Sequence, residues 1–366
     1  MDNRITKHAE VILKYSLNLK KGEKIVIVGD VVTLPLIKES YRLAVELRAL
    51  PQVMINSEEL KEILLKGGSE EQIKYVPESV KKAFETVDVL LSFFGGTNTR
   101  MLSNVNPEKL KLSAQGSSEI TRIFFERVAK KELRWCGTMF PNQANAQEAS
   151  MSVSEYEDFV YGAGYIDSKD PIAEWKKIEK KQEGICNILN GKKHLRIVSK
   201  DTDLKMSIEG RKWINCCGRV NFPDGEVFTG PVEDSVEGHI RFSFPGIYGG
   251  REIEDIQLTF DRGKVIKATA AKGQELLEQL LETDKGARYV GEIAAGTNYN
   301  IKKFTRHMLF DEKIGGTVHL AIGRSIPESL GKNQSAIHWD MLCDMKKGGK
   351  IYADGELVYK DGKFLI

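Results

Sequence analysis

"KIVIVG", residues 24–29, is an apolar run closed by a glycine, and it reads as a short buried strand. The segment after it, through Arg48, has the apolar spacing of a helix. The same alternation then repeats. "QVMIN" (52–56) is a second strand, followed by a polar helix-like stretch over 58–84. "VDVLLSF" (87–93) is a third, ending in the loop "GGTNT". "SEITRIFFERVAKKE" (118–132) is helical and leads into a fourth strand, "LRWCGTMF" (133–140). Strands separated by helices imply βα units around a mostly parallel sheet. Neither loop is a phosphate cradle: "GDVVTLP" (29–35) and "GGTNT" lack both GxGxxG spacing and a Gly-Lys-Ser/Thr triplet.

The second half has a different texture. Residues 171–189 read as a charged helix with Pro171 near its start, and "NGKK" (190–193) punctuates the chain. From His194 onward the segments are rich in strand formers and joined by the turn signals "DRGK" (261–264), "ADGE" (353–356) and "KDGK" (360–363). One helix interrupts them, "GQELLEQLLETDKG" (273–286). At 366 residues the chain exceeds one ordinary core. The expectation is an α/β N-terminal domain with a mostly parallel sheet over 1–190, followed by a β-rich α+β C-terminal domain over 191–366.

Charge excludes some partners. The net formal charge is +2, from 54 basic and 52 acidic side chains, which gives no electrostatic argument for nucleic acid or an anionic membrane. No stretch approaches the roughly 18 apolar residues of a membrane span, and the N-terminus carries no secretory h-region. The five cysteines are odd in number and include no CxxC, which fits a reducing cytoplasm.

"SAIHWDML" (335–342) carries the chemistry. Side chains alternate along a strand, so Ile337, Trp339 and Met341 share an apolar face while His338 and Asp340 point together from the other. An imidazole beside a carboxylate is what a metal or proton-transfer site needs. "GGTVHLAIG" (315–323) repeats the design, with Val318, Leu320 and Ile322 on one face and His319 on the other. Glu226 in "NFPDGEVFTGP" and Glu292 in "RYVGEIAAGTN" sit in apolar or small-residue context, where an ionised carboxylate is costly without a partner. A divalent cation would resolve that cost for Glu226, Glu292 and Asp340 together. Three carboxylates and two imidazoles exceed the needs of one tetrahedral zinc and suit two bridged metals that activate water for hydrolysis.

"NFPDGEVFTGP", "VGEIAAG", "LFDEKIGGTVHLAIG" and "NQSAIHWDM" resemble, in this order, the metal-binding segments of the M29 family of metallo-aminopeptidases. "PNQANAQEASMSVSEYEDFVYGAG" (141–164) is similar to a segment of that family's first domain. The resemblance implies metal ligands at Glu226, Glu292, His319, His338 and Asp340, with Glu292 as the bridging and catalytic carboxylate. It further implies two divalent ions, zinc or cobalt, a homodimer, and release of N-terminal residues from peptide substrates, in the cytoplasm that the cysteine usage suggests. The sequence departs from the family in two places. Ile326 stands where the family has a tyrosine, and the stretch from His319 to His338 is shorter than usual. Ser325 and Arg324 are the donors nearest to the missing phenol in sequence. The alternatives are a metal-dependent amidase with a non-peptide substrate, and an α/β metal-binding protein whose metal is structural.

Overall fold

The computed structural model describes residues 2–366. Its contacts divide the chain into two units, one formed by the residues up to Ile172 with 218–223, the other by 173–217 and 224–366.

The first unit is built on a five-stranded sheet. Its order is Leu50–Asn56, Lys24–Asp30, Val89–Phe94, Arg134–Met139 and Asn221–Phe222. All four pairings are parallel. Ile25, Val26 and Ile27 are fully buried, as the unbroken apolar run requires. Helix Leu34–Glu46 follows the first strand with Pro35 in its first turn, where a missing N–H costs nothing. The stretch 58–84 is three helices rather than one: Glu58–Gly67, Glu70–Lys74 and Glu78–Thr86. Gly68 ends the first in extended backbone, and Ser69 opens the second with a capping box. Val76 precedes a proline, so the second cannot continue into the third.

The second unit opens with most of helix Pro171–Leu189 and carries two large sheets. The larger has eight strands, and the three Asp-Gly and Arg-Gly turns each close one of its hairpins: Gln257–Asp261 with Lys264–Thr269, Lys350–Ala353 with Glu356–Lys360, and Glu356–Lys360 with Lys363–Phe364. The smaller sheet runs His338–Asp344, Thr317–Gly323, Val290–Gly296, Glu226–Thr229, Ile214–Cys216, all antiparallel. One apolar cluster joins the two sheets, with Leu195, Ile197 and Leu204 from the larger meeting Val227, Ile293, Val318, Leu320 and Met341 from the smaller. The face of the smaller sheet turned away from that cluster carries the site.

Candidate metal centre

Four neighbouring strands of the smaller sheet supply the five side chains singled out from sequence. Glu226 pairs with Gly296 across the ladder, His319 with Ala294, Ala321 with both Glu292 and Asp340, and Gly323 with His338. Because direction alternates along each strand, Glu226, Glu292, His319, His338 and Asp340 project from one face. Their neighbours on the strands, Val227, Ile293, Val318, Leu320, Trp339 and Met341, lie in the apolar core. The positions between the functional groups are small, Ala294, Gly296 and Ala321, which leaves room above the sheet.

The donor atoms converge. His319 Nε2 lies 3.2 Å from Glu226 Oε2 and 3.4 Å from Glu292 Oε1. His338 Nε2 lies 3.7 Å from Glu292 Oε2 and 3.6 Å from Asp340 Oδ2. Two donors on one tetrahedral zinc, each about 2.0–2.1 Å from it, stand about 3.4 Å apart, so these separations match donors that share an ion. Glu292 is the pivot, because its two carboxylate oxygens face different imidazoles. Glu226 Oε2 and Asp340 Oδ1 are buried without a hydrogen bond of acceptable geometry, so acceptors aimed into the site stay unsatisfied by protein. The arrangement suits divalent cations held by mixed nitrogen and oxygen donors.

Electrostatics agree with the geometry. Burial lowers the proton affinity of His319 and His338, yet the surrounding carboxylates more than reverse it and hold both above the ordinary histidine value. Burial pushes Asp340 up, with His338 opposing and Glu292 adding to the push. The orientation of His338 is fixed from behind, since Nδ1 sits 2.7 Å from the Arg324 carbonyl and must donate to it.

Sequence reasoning missed the segment Glu312–Lys313. Glu312 forms a compact donor group with His319 and Asp340, and burial raises its proton affinity despite Lys313 beside it. Lys313 is 1% exposed, with Nζ 2.5 Å from Glu226 Oε1 and 3.6 Å from Asp224 Oδ1. Burial opposes its charge, but Glu226, Glu312 and Asp224 outweigh that and keep it protonated. Glu226 therefore already has a protein cation, and the expectation that metal alone offsets its burial needs this correction. Gly296 permits the approach, since a Cβ there would collide with the Ile314 carbonyl. The Asn298 amide donates to the Lys313 carbonyl at 3.0 Å and locks the segment in place. Cys216 completes a further group with Asp224 and Glu226.

Ile326, at the place of the family tyrosine, precedes a single helical turn, Pro327–Ser329. Of the two nearby donors, Ser325 Oγ accepts from the Asn333 amide at 3.2 Å within its own loop.

A pair of imidazoles and an excess of carboxylates on one sheet face is the equipment of a metal-dependent hydrolase. The chain belongs to the thermophilic metalloprotease (M29) family, whose model matches residues 1–364. Aminopeptidase T of Thermus thermophilus is 27% identical, over 98% of this chain and 95% of the relative. Aminopeptidase 2 of Geobacillus stearothermophilus is 25% identical, over 99% of this chain and 95% of its own length. The solved structure of wild-type AmpT from Thermus thermophilus superposes with a TM-score of 0.87 at 25% identity, covering 100% of this chain and 99% of that one. The chain is therefore a metal-dependent peptidase with an N-terminal α/β part and a strand-rich C-terminal part. No helix among the described residues is long and apolar enough to cross a membrane.

Proposed function

We propose that this protein is an aminopeptidase in which Glu226, Glu292, His319, His338 and Asp340 hold two divalent cations, zinc or cobalt, to release N-terminal residues from peptides. The observation that carries the reading is Glu292, whose Oε1 faces His319 at 3.4 Å and whose Oε2 faces His338 at 3.7 Å, as a carboxylate shared by two ions would. The relatives named aminopeptidases support the reaction class.

When bound, such cations polarise the scissile carbonyl and acidify the attacking water. The chain supplies the rest. Arg324 fixes the His338 ring so that Nε2 faces the site. Glu312, which stands beside His319 and Asp340 and has 17% exposure of its side chain, takes the proton of the attacking water and returns it to the leaving amine. His338, at 20% side-chain exposure, marks the accessible side. One of the cations, when bound, would also hold the free α-amine of a peptide, which accounts for action at the N-terminus. The working form is a homodimer, as the family resemblance implies, in the reducing cytoplasm that the cysteine usage suits.

Metal content measured by mass spectrometry, alongside hydrolysis of aminoacyl-arylamides, tests this reading. Chelation abolishes activity and zinc or cobalt restores it. Full activity in chelator-treated, metal-free protein would refute it.

A further inference from the structure

Three donor groups are linked by shared residues at this site: Glu226–Glu292–His319, Glu312–His319–Asp340 and Cys216–Asp224–Glu226. The third has a thiol and two carboxylates within 4.8 Å of one another, a donor set able to bind a soft or borderline divalent ion. It differs from the others in having both of its carboxylates, Asp224 and Glu226, facing one ammonium. The Lys313 ammonium reaches Glu226 Oε1 at 2.5 Å and Asp224 Oδ1 at 3.6 Å, and it also pairs with Glu312.

We propose that Lys313 is a resident cation that occupies the Cys216–Asp224–Glu226 group, excludes a third metal from it, and confines Glu226 to a single ligand oxygen. This rests on the two-ion reading above. Lys313 takes Oε1, so only Oε2, 3.2 Å from His319 Nε2, remains for the metal centre. Without the ammonium, Asp224 and Glu226 lose a shared cationic partner, and the Cys216 thiol stands beside them.

The backbone is built to deliver this side chain. A Cβ at Gly296 would strike the Ile314 carbonyl and crowd the Lys313 carbonyl carbon, so only glycine lets the segment descend onto the strand facing Glu226. Gly225, at φ +123°, holds the turn between Asp224 and Glu226, and a Cβ there would meet Asn298 at 2.8 Å. Asn298 in turn binds the Asp224 carbonyl through its side chain at 2.8 Å and the Lys313 carbonyl through its amide at 3.0 Å. One residue thus braces both sides of the ammonium site. Lys313 acts on metal number and on Glu226, which makes it a positioning residue.

Cobalt(II) tests this, because a cobalt–thiolate bond adds a charge-transfer band in the near ultraviolet. Full-length wild type, Lys313→Met, Cys216→Ser and the double variant are loaded with cobalt, and both the metal equivalents and the spectrum are recorded. Wild type takes two equivalents and shows no thiolate band, and its spectrum is unchanged in Cys216→Ser. Lys313→Met takes a third equivalent and shows the band, and the double variant loses both. A thiolate band in wild type overturns the proposal. So do two equivalents without a band in Lys313→Met, a result that leaves the two-ion reading standing. Wild type binding no cobalt overturns both. If Lys313→Met does not fold, the wild-type and Cys216→Ser spectra decide: identical spectra with two equivalents support the proposal, and differing spectra overturn it.

Discussion

His338 donates from Nδ1 to the Arg324 carbonyl at 2.7 Å, and that contact turns Nε2 toward Asp340 and Glu292. The carbonyl has no proton to give, so the tautomer is settled by the partner. Truncating this ring removes a donor without opening the core, since its side chain keeps 20% exposure. His338→Ala is expected to stay folded and to lose one of two bound ions, read by metal analysis after dialysis. Retention of both ions would remove His338 from the ligand set.

Much of this centre was legible in the sequence because strands alternate. His338 and Asp340 are two residues apart with Trp339 between them, and His319 sits between Val318 and Leu320, so each functional face follows from the apolar one. Glu226 and Glu292 were found by the cost of their apolar surroundings. Glu312 and Lys313 were not, because they lie in the turn after the short helix Met308–Asp311, where no period assigns a face. A Glu-Lys pair in a turn reads as solvated surface, yet the backbone at Gly296 and Asn298 draws Lys313 to 1% exposure. The stretch 58–84 is a different case, since Gly68, the Ser69 capping box and Pro77 mark its breaks in the sequence and only the polar pattern passes over them.

Asp311 offers a pH test. Burial pushes its carboxyl up to about 7, against hydrogen bonds from the Thr305 amide and hydroxyl at 2.7 and 2.9 Å. The unfolded chain loses this proton near 3.8, whereas the folded chain keeps it to about 7. Its contribution to stability is therefore full below the unfolded value and falls as pH rises to about 7. Asp311→Asn does not titrate. Its stability relative to wild type should rise between pH 4 and 7 and level off above, by at most about 4 kcal/mol. Urea unfolding across that range measures it, and a flat difference would contradict the assignment.

Glu312 is assigned the proton transfer and no ligand role. Glu312→Gln keeps the shape and removes the base, so metal content should be unchanged while kcat falls roughly 100- to 10,000-fold. Loss of an ion in this variant would make Glu312 a ligand instead.

Ile326 cannot donate a hydrogen bond to an oxyanion, and loss of one such donor typically costs on the order of 100- to 1,000-fold in rate. Ser325, the adjacent hydroxyl, accepts from the Asn333 amide within its own loop, a contact that does not use its O–H. Ile326→Tyr should leave metal content unchanged and raise single-turnover hydrolysis of a peptide under matched metal loading. No gain would show that this position does not face the reacting carbonyl.

The most direct measurement pairs metal stoichiometry with N-terminal specificity. Wild-type protein, dialysed and then titrated with zinc or cobalt, is assayed on a peptide with a free N-terminus and on its N-acetylated counterpart. The account predicts two ions per chain at full activity, stepwise release of N-terminal residues from the free peptide, and no cleavage of the acetylated one. Full activity with one ion per chain, or equal cleavage of the blocked peptide, would contradict it.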